Sequence, residues 1–223
     1  MRVFAFAALA MAVATGAALA QAQWTAWNDP AGRLSFQHPP AWPVDAQRGA
    51  AADTTQMISG TANEECQFFS LTRAEWAAHS ADTMRRSMET TPIGNDAWQA
   101  TAASIRLFRN QAVVQSTSAD TSGFWPIQRA VIQSGEHTVL GGYQRRPGLE
   151  IWTFCLSYSG PDRADTFNRV ISSVGTPRDA EWRTQAEAAE AQRAAAAAQQ
   201  AEQQAAAEAA AKEKGKRGRR NRD

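Results

Sequence analysis

Hydrophobic and polar residues alternate most clearly in the stretch 151–158, which predicts a β-strand. Its large apolar side chains would share one face, because successive side chains of a strand point to opposite faces. They are Trp152, Phe154, Leu156 and Tyr158. Two further strand patterns precede it, at 127–133 and 137–143, with the turn residues Ser134-Gly135-Glu136 between them. This part of the chain therefore predicts an antiparallel unit with a large apolar face to bury.

Helical spacing, with apolar residues three and four positions apart, occurs in three segments. The first follows Thr72-Arg73-Ala74-Glu75, which matches a capping box, the second follows the candidate cap Asn95, and the third follows the candidate cap Ser159. Their apolar stripes are Ala74, Ala77, Ala81, Met84 and Met88; Ala97, Trp98, Thr101, Ile105 and Phe108; and Ala164, Phe167, Val170, Ile171 and Val174. Gly175-Thr176-Pro177 ends the third helix.

Further strand patterns occur at 33–36, 53–60, 66–72 and 111–117. The order of elements is therefore strands, two helices, four strands and one helix. Helices grouped between runs of strands predict an α+β fold, an antiparallel sheet with helices packed on it, in preference to alternating βαβ units.

Two short motifs resemble those of PsbP/DcrB-like domains. The opening motif consists of Gly32, Leu34-Ser35-Phe36, Pro39 or Pro40, and Trp42, and the closing motif of Phe167, Ile171, Ser173 and Val174. This chain departs from the pattern by extra length around His38-Pro39-Pro40 and by alanine-rich material after the domain. The resemblance implies an α/β/α sandwich over residues 24–177 and a non-catalytic protein that assists or binds other envelope or lumenal components.

The first twenty residues predict a bacterial secretory signal peptide. Met1-Arg2 precedes an uncharged run that ends in Ala18-Leu19-Ala20, a small-x-small pattern, so cleavage is expected after Ala20. The alternative is an uncleaved anchor helix, although the run is short and alanine-rich for a membrane span. We therefore expect a periplasmic or secreted protein with no transmembrane span after cleavage.

Composition divides the mature chain into three parts. Residues 21–177 form the expected globular domain, long enough to bury most of its surface without a metal. In residues 178–211, 17 of 34 positions are alanine, which predicts a long, solvated helical spacer with Trp182 as its only large apolar residue. Residues 212–223 carry seven Lys or Arg against two acids, a charge of +5, and predict a disordered basic tail.

The basic tail is a candidate polyanion-binding segment. Its cationic residues are Lys212, Lys214, Lys216, Arg217, Arg219, Arg220 and Arg222. Because the leader directs the protein out of the cytoplasm, anionic lipid, lipopolysaccharide or a cell-wall polymer is a better expected partner than nucleic acid. The alternative is a tail that only increases solubility.

Cys66 and Cys155 are the two cysteines of the chain. An even number of cysteines in an exported protein favours a disulfide between them, and each lies in a predicted strand. The alternative is a pair of buried thiols.

No set of residues predicts catalysis, a cofactor or a metal site. His38, His79 and His137 have no second ligand at metal-binding spacing, and no G-x-S-x-G occurs. Ser134, Glu136 and His137 lie on one tight hairpin, where a turn is the simpler explanation than a catalytic triad.

Eight tryptophans are many for a chain of 223 residues. Trp42, Trp98 and Trp152 fit core positions. Trp24, Trp27 and Trp125 lie near predicted loops, where they could line a groove for a peptide or a glycan, or simply pack.

These observations predict a non-enzymatic exported protein that binds an envelope component or assists its assembly. Two alternatives remain open. One is a hydrolase whose serine and histidine are brought together only by folding, and the other is a structural linker that acts through its C-terminal helix and basic tail.

Overall fold

The computed structural model describes residues 23–46, 53–104, 112–159 and 163–220. The predicted signal peptide, Met1–Ala20, lies outside the described residues, as do Ile105 and Phe108 of the predicted second helix. The described part contains nine strands, four α-helices and one short 3-10 helix at Ala74–Trp76. This order of elements agrees with the predicted sequence of strands, two helices, four strands and a helix.

Seven of the strands form one antiparallel sheet. The strands are β1 (Thr25–Asn28), β2 (Ser35–His38), β3 (Val44–Ala46), β4 (Thr54–Gly60), β5 (Glu64–Thr72), β6 (Ala112–Asp120), β7 (Ile127–Ser134), β8 (His137–Arg146) and β9 (Leu149–Ser157). Their order in the large sheet is β3-β4-β5-β9-β8-β7-β6, and β1 pairs with β2 in a separate two-stranded sheet. The strand with the clearest alternation, β9, therefore lies at the centre of the sheet.

The helices are α1 (Ala81–Thr90), α2 (Asn95–Ser104), α3 (Ala164–Ser173) and α4 (Asp179–Arg220). Helices α1 and α2 pack on one face of the sheet, whereas α3 and the β1-β2 sheet pack on the other. The predicted α+β fold with helices on an antiparallel sheet is confirmed.

Both faces of β9 are buried, each in a different core. Trp152, Phe154 and Leu156 pack against Trp98 of α2. The intervening positions, which include Ile151 and Cys155, pack on the side of α3. The apolar face predicted from alternation is confirmed, and the opposite face is covered as well.

Two adjacent glycines of β8 let helices approach the sheet from both sides. A Cβ atom at Gly141 would lie 2.7 Å from Cζ3 of Trp98, and one at Gly142 would lie 2.5 Å from Cγ2 of Ile171. Both distances are shorter than carbon atoms tolerate. Any larger residue here would therefore push α2 or α3 away from the sheet.

Two predicted helix caps were wrong. Thr72 belongs to β5, and the helix expected to follow it begins at Ala81 instead, where Oγ of Ser80 accepts a hydrogen bond from the backbone N–H of Thr83. Likewise, α3 begins at Ala164, and Ser159 donates its hydroxyl to the side chain of Asn63. In both places the strand ends about where the pattern predicted, and the α-helix begins several residues later than the candidate cap.

The last helix differs most from expectation. It runs from Asp179 to Arg220, so its backbone is helical at 212–220, where the composition predicted a disordered basic tail. Extension of an existing helix adds one hydrogen bond per residue without a new nucleus, and cations are favourable near a helix C-terminus. The last three residues, 221–223, lie outside the described residues.

Candidate functional site

The start of α4 is built into the globular domain. Trp182 is only 3% exposed and packs with Trp125 and Leu149, and Ala186 one turn later is also buried. The Trp125 and Trp182 rings meet edge to face with centroids 6.3 Å apart. The chain after the predicted boundary at Pro177 therefore still contributes to a core.

A buried arginine fixes the first turn of α4. Arg146, at the end of β8, is 1% exposed, and its Nε and Nη2 each donate to a carboxylate oxygen of Asp179 at 2.9 Å. Nη2 also donates to Oε1 of Gln144 at 2.7 Å, and the guanidinium lies 4.1 Å from the ring centroid of Trp125. Burial lowers the pKa of Arg146, and the nearby Asp179 carboxylate opposes that shift. This ion pair joins the sheet directly to the helix.

The residues just before α4 form a cap for it. Oγ1 of Thr176 accepts from the backbone N–H of Arg178 at 3.2 Å and donates to Oδ1 of Asp179 at 2.9 Å. Proline at position 177 and an acid at position 179 suit the first turn of a helix. Gly175-Thr176-Pro177, which was interpreted as the end of α3, thus also marks the start of α4. The sequence contains this start signal as Thr176, Pro177 and Asp179.

A second ion cluster holds α4 about four turns after Asp179. Asp82 of α1 is 2% exposed, and its Oδ2 lies 2.9 Å from Nη1 of Arg193 and 2.7 Å from Nη2 of Arg86. Arg85 also contacts Glu190 at 3.8 Å. We call residues 179–193 the anchored segment, because its contacts with the domain extend over this length.

Beyond Arg193 the helix leaves the domain. All side chains in 194–209 are exposed, as is that of Lys212. The helical backbone continues through Arg220, and at 1.5 Å per residue the 27 residues 194–220 extend roughly 40 Å. We call 194–220 the free segment. It ends in the basic residues that the sequence analysis identified.

The largest cavity that we describe, a cleft of about 690 Å³, lies beside the anchored segment. Several of its polar side chains bond to each other: Ser122 donates to Asp120 at 2.6 Å, Arg129 donates to Asp120 at 2.9 Å, and Ser172 accepts from Arg129 at 2.8 Å. The bonds that Ser122 and Arg129 donate to Asp120 lower the pKa of this carboxyl group to about 2. Together with the bond from Thr176 to Asp179, they mark this cleft as the joint between the domain and α4.

The three tryptophans of the predicted groove lie in different surroundings. Trp24 and Trp27 pack partly buried on the core below α3, whereas Trp125 is buried beside α4. Arg169 covers the ring of Trp24 at 4.1 Å, and Trp27 lies 5.1 Å from Phe36, centroid to centroid. Trp27 lines a cavity of about 480 Å³, and Trp125 lines the cleft beside α4. A groove that uses all three rings stays a prediction.

The histidines are also separated. His38 lies at the end of β2 with Nδ1 2.9 Å from the carbonyl oxygen of Pro39. His137 faces Tyr158, with ring centroids 6.0 Å apart, in a cavity of about 510 Å³. His79 lines a cavity of about 500 Å³.

The serines near these histidines have other partners. Ser157, in the cavity of His137, donates to the carbonyl oxygen of Ser159 at 3.0 Å. Ser80, in the cavity of His79, caps α1. Ser134 pairs with His137 across the hairpin. Within the described ranges, no group of three or more His, Cys, Asp and Glu comes together as metal ligands would.

The predicted disulfide is present in the structure. Cys66 of β5 and Cys155 of β9 are directly opposite each other in the sheet, are fully buried, and are joined by an S–S bond of 2.00 Å. The bridge closes a loop with a sequence separation of 89 residues. Nearby, the side chain of Arg163 donates to Glu64 and lowers the pKa of that carboxyl group.

Among the helices of the described residues, none combines the length and apolarity needed to cross a membrane. Comparison with protein-family models and with curated proteins finds no match.

Comparison with solved structures finds similar chains. The solution structure of cyanobacterial PsbP (CyanoP) from Synechocystis is matched over 74% of this chain and 98% of that chain, with 20% identity and a TM-score of 0.43. A crystal structure from Bacteroides thetaiotaomicron is matched over 70% of this chain and 49% of that chain, with 10% identity and a TM-score of 0.39. The first is a PsbP protein, of the family that the two sequence motifs resemble. Similarity at this level transfers no partner or activity.

Proposed function

We propose that this protein is a non-enzymatic accessory protein of the cell envelope, whose domain holds a long helix with a basic end that binds an anionic envelope surface. The observation that carries the proposal is the anchored segment of α4. Arg146, Trp182 and Asp82 hold it at three successive points, so the helix leaves the domain in a defined direction.

Because the anchored segment is held against the domain, the basic end of the free segment lies at a defined distance from it. A flexible linker would let the cationic residues return to the domain, whereas a helix of roughly 40 Å keeps them apart from it. The globular part, residues 21–177, has a net charge of −2 from the sequence, so it has no general attraction for an anionic surface. The basic end supplies that attraction, at about 1 kcal/mol for each Lys or Arg near the surface.

Export supports the same function. The predicted leader and the buried Cys66–Cys155 bridge both suit an oxidising compartment outside the cytoplasm. In that compartment the available polyanions are phospholipid headgroups, lipopolysaccharide and wall polymers. An envelope component bound by the domain could then be held at a constant distance from this surface.

The experiment is co-sedimentation of the mature protein with phosphatidylcholine vesicles prepared with or without phosphatidylglycerol. The test variant changes the seven Lys and Arg residues of 212–223 to glutamine, which keeps helix propensity and removes the charge. We expect this variant to lose more than about tenfold in partitioning to the anionic vesicles at low salt. Binding of the natural protein should also fall as salt is added.

Two controls separate charge from helix geometry. A variant with the residues of 212–223 in scrambled order should bind as the natural sequence does, since attraction to a charged surface depends on composition. A variant with Ala197→Pro breaks the free segment but keeps its charge, and should also bind. Equal sedimentation of the natural and neutralised proteins would contradict the proposal.

A further inference from the structure

A second cavity contains a buried hydroxyl group that has no hydrogen-bond partner in the structure. It has a volume of about 480 Å³ and lies between the loop after β1 and the first residues of β4. Trp27, Asn28, Thr55 and Gln56 line it, and Met57 contributes an apolar wall. This volume is typical of small-molecule sites.

Thr55 provides the buried hydroxyl group of this cavity. Its side chain is more than nine-tenths buried, at 8% exposure, yet Oγ1 has no hydrogen-bond partner in the structure. An unpaired buried hydroxyl is costly, because it has lost its water without gaining another partner. A ligand or ordered water in the cavity would remove this cost.

Two side-chain amides accompany Thr55. Those of Asn28 and Gln56 form no side-chain hydrogen bond with the described residues. Each amide offers two donors and an acceptor, and a hydroxyl offers one donor and two acceptors. The cavity therefore presents groups that both donate and accept, as the hydroxyl groups of a sugar do.

Trp27 supplies an aromatic wall beside these groups. It is partly buried, and its ring lies against Phe36 with centroids 5.1 Å apart. A large flat ring with a polar edge binds ligands that have both apolar and polar parts. The C–H face of a pyranose ring is such a surface, and its equatorial hydroxyl groups extend toward the cavity rim.

The charges of the described lining residues cancel. Asp29 and Arg33 are the charged residues among them, and they pair with each other at 3.6 Å. Asp29 also accepts from the backbone N–H groups of Ala31 and Arg33 within its own turn. The described part of the lining therefore has no net charge to attract an anionic ligand, in contrast to the basic end of α4.

We propose that this cavity binds a neutral oligosaccharide. Trp27 packs against a sugar ring, and Asn28, Thr55 and Gln56 exchange hydrogen bonds with its hydroxyl or acetamido groups. The site is independent of the proposed attraction to anionic surfaces, because it lies in the domain and involves no residue of α4.

The test is titration of the mature protein with chitotetraose, cellotetraose and maltotetraose, followed by tryptophan fluorescence and by saturation-transfer NMR. We expect saturable binding of at least one of them. Trp27→Ala should weaken it by roughly tenfold or more, as the loss of a central aromatic contact does. Thr55→Val keeps the shape of the side chain and should weaken binding about threefold to tenfold through the lost hydrogen bond.

Trp24→Ala is the matched control, because Trp24 neighbours the same strand, is also partly buried, and does not line this cavity. It should leave affinity unchanged. Thermal unfolding of each variant checks that the domain is folded. If Trp27→Ala is unstable, the affinity of Thr55→Val for the sugar serves as the test of binding at this cavity. Three results would overturn the proposal. They are the absence of binding for all three sugars, equal binding by Thr55→Val and the natural protein, and saturable binding of an unstructured peptide at this cavity in place of sugars.

Discussion

The two segments of α4 share a backbone conformation and an alanine-rich composition, yet only one belongs to the domain. The anchored segment has Asp179, Trp182 and Arg193, each in contact with another element. The free segment has no large apolar side chain, and its described side chains are exposed. A few residues with partners across space therefore decide whether such a helix is core or appendage.

Removal of Arg146 should have the largest effect on this difference. Arg146→Leu leaves the partly buried Asp179 without its partner, and we expect a loss of about 3 to 5 kcal/mol in the free energy of unfolding, measured with urea. The double variant with Asp179→Leu removes the unpaired charge and should recover part of the loss. A loss below about 1 kcal/mol in the single variant would show that the ion pair does not hold the helix.

The next largest effect should come from Trp182. Trp182→Ala empties a buried position between Trp125 and Leu149, and we expect a loss of about 3 kcal/mol. Helicity of the free segment, followed by circular dichroism, should persist because its hydrogen bonds lie within the helix. An unchanged urea midpoint would place the anchored segment outside the cooperative unit.

A matched pair of alanines compares the segments directly. Ala186 is buried and Ala197 is exposed on the same helix. Ala186→Gly should lower the free energy of global unfolding by about 1 to 2 kcal/mol. Glycine has a lower helix propensity than alanine, and the substitution also removes the contacts of a buried methyl group. Ala197→Gly should change it by less than about 0.5 kcal/mol, since local opening there is not linked to the domain. Equal losses would remove the distinction between the segments.

The smallest effect concerns Asp120, in the cleft beside the anchored segment. Its pKa is lowered to about 2 in the folded protein, against about 3.9 in an unfolded chain. The stabilisation is therefore fully present above about pH 4 and is lost as the pH falls toward 2. Asp120→Asn should reduce stability by less than about 1 kcal/mol at neutral pH, because the pair is partly exposed.

The same variant tests the sign of that dependence. Urea midpoints measured between about pH 5 and pH 2 should fall less steeply for Asp120→Asn than for the natural protein. Parallel profiles would indicate that Asp120 titrates normally in the folded state.

Much of the fold could be predicted because the spacing of apolar residues along the chain indicates the strands and helices. Alternation in β9 placed Trp152, Phe154 and Leu156 on one face, and the helical spacing of α3 placed Phe167, Val170 and Ile171 in the other core. Both patterns concern neighbours within one element, which a sequence displays directly. The two cysteines and the exported context were likewise enough to predict their bridge.

The candidate site was harder to predict because its residues are distant in sequence. Arg146 and Asp179 are 33 residues apart, and the sequence pattern placed the first outside the predicted strands and the second in a solvated spacer. The close packing at Gly141 and Gly142 could not be predicted from their neighbours in sequence, since it depends on Trp98 of α2 and Ile171 of α3. The cap formed by Thr176 was the one local signal that could have been recognised.

By itself, the sequence determined the elements, one apolar face of the central strand and the basic end, and it predicted an export signal, because each follows from periodicity or composition over adjacent residues. Tertiary structure alone decided where α4 stops being part of the core, that the other face of the central strand is also buried, and which cavity leaves Thr55 without a partner. Those outcomes depend on which side chains meet across the sheet, and a buried charge, ring or hydroxyl acquires its energy only from the partner that folding brings to it.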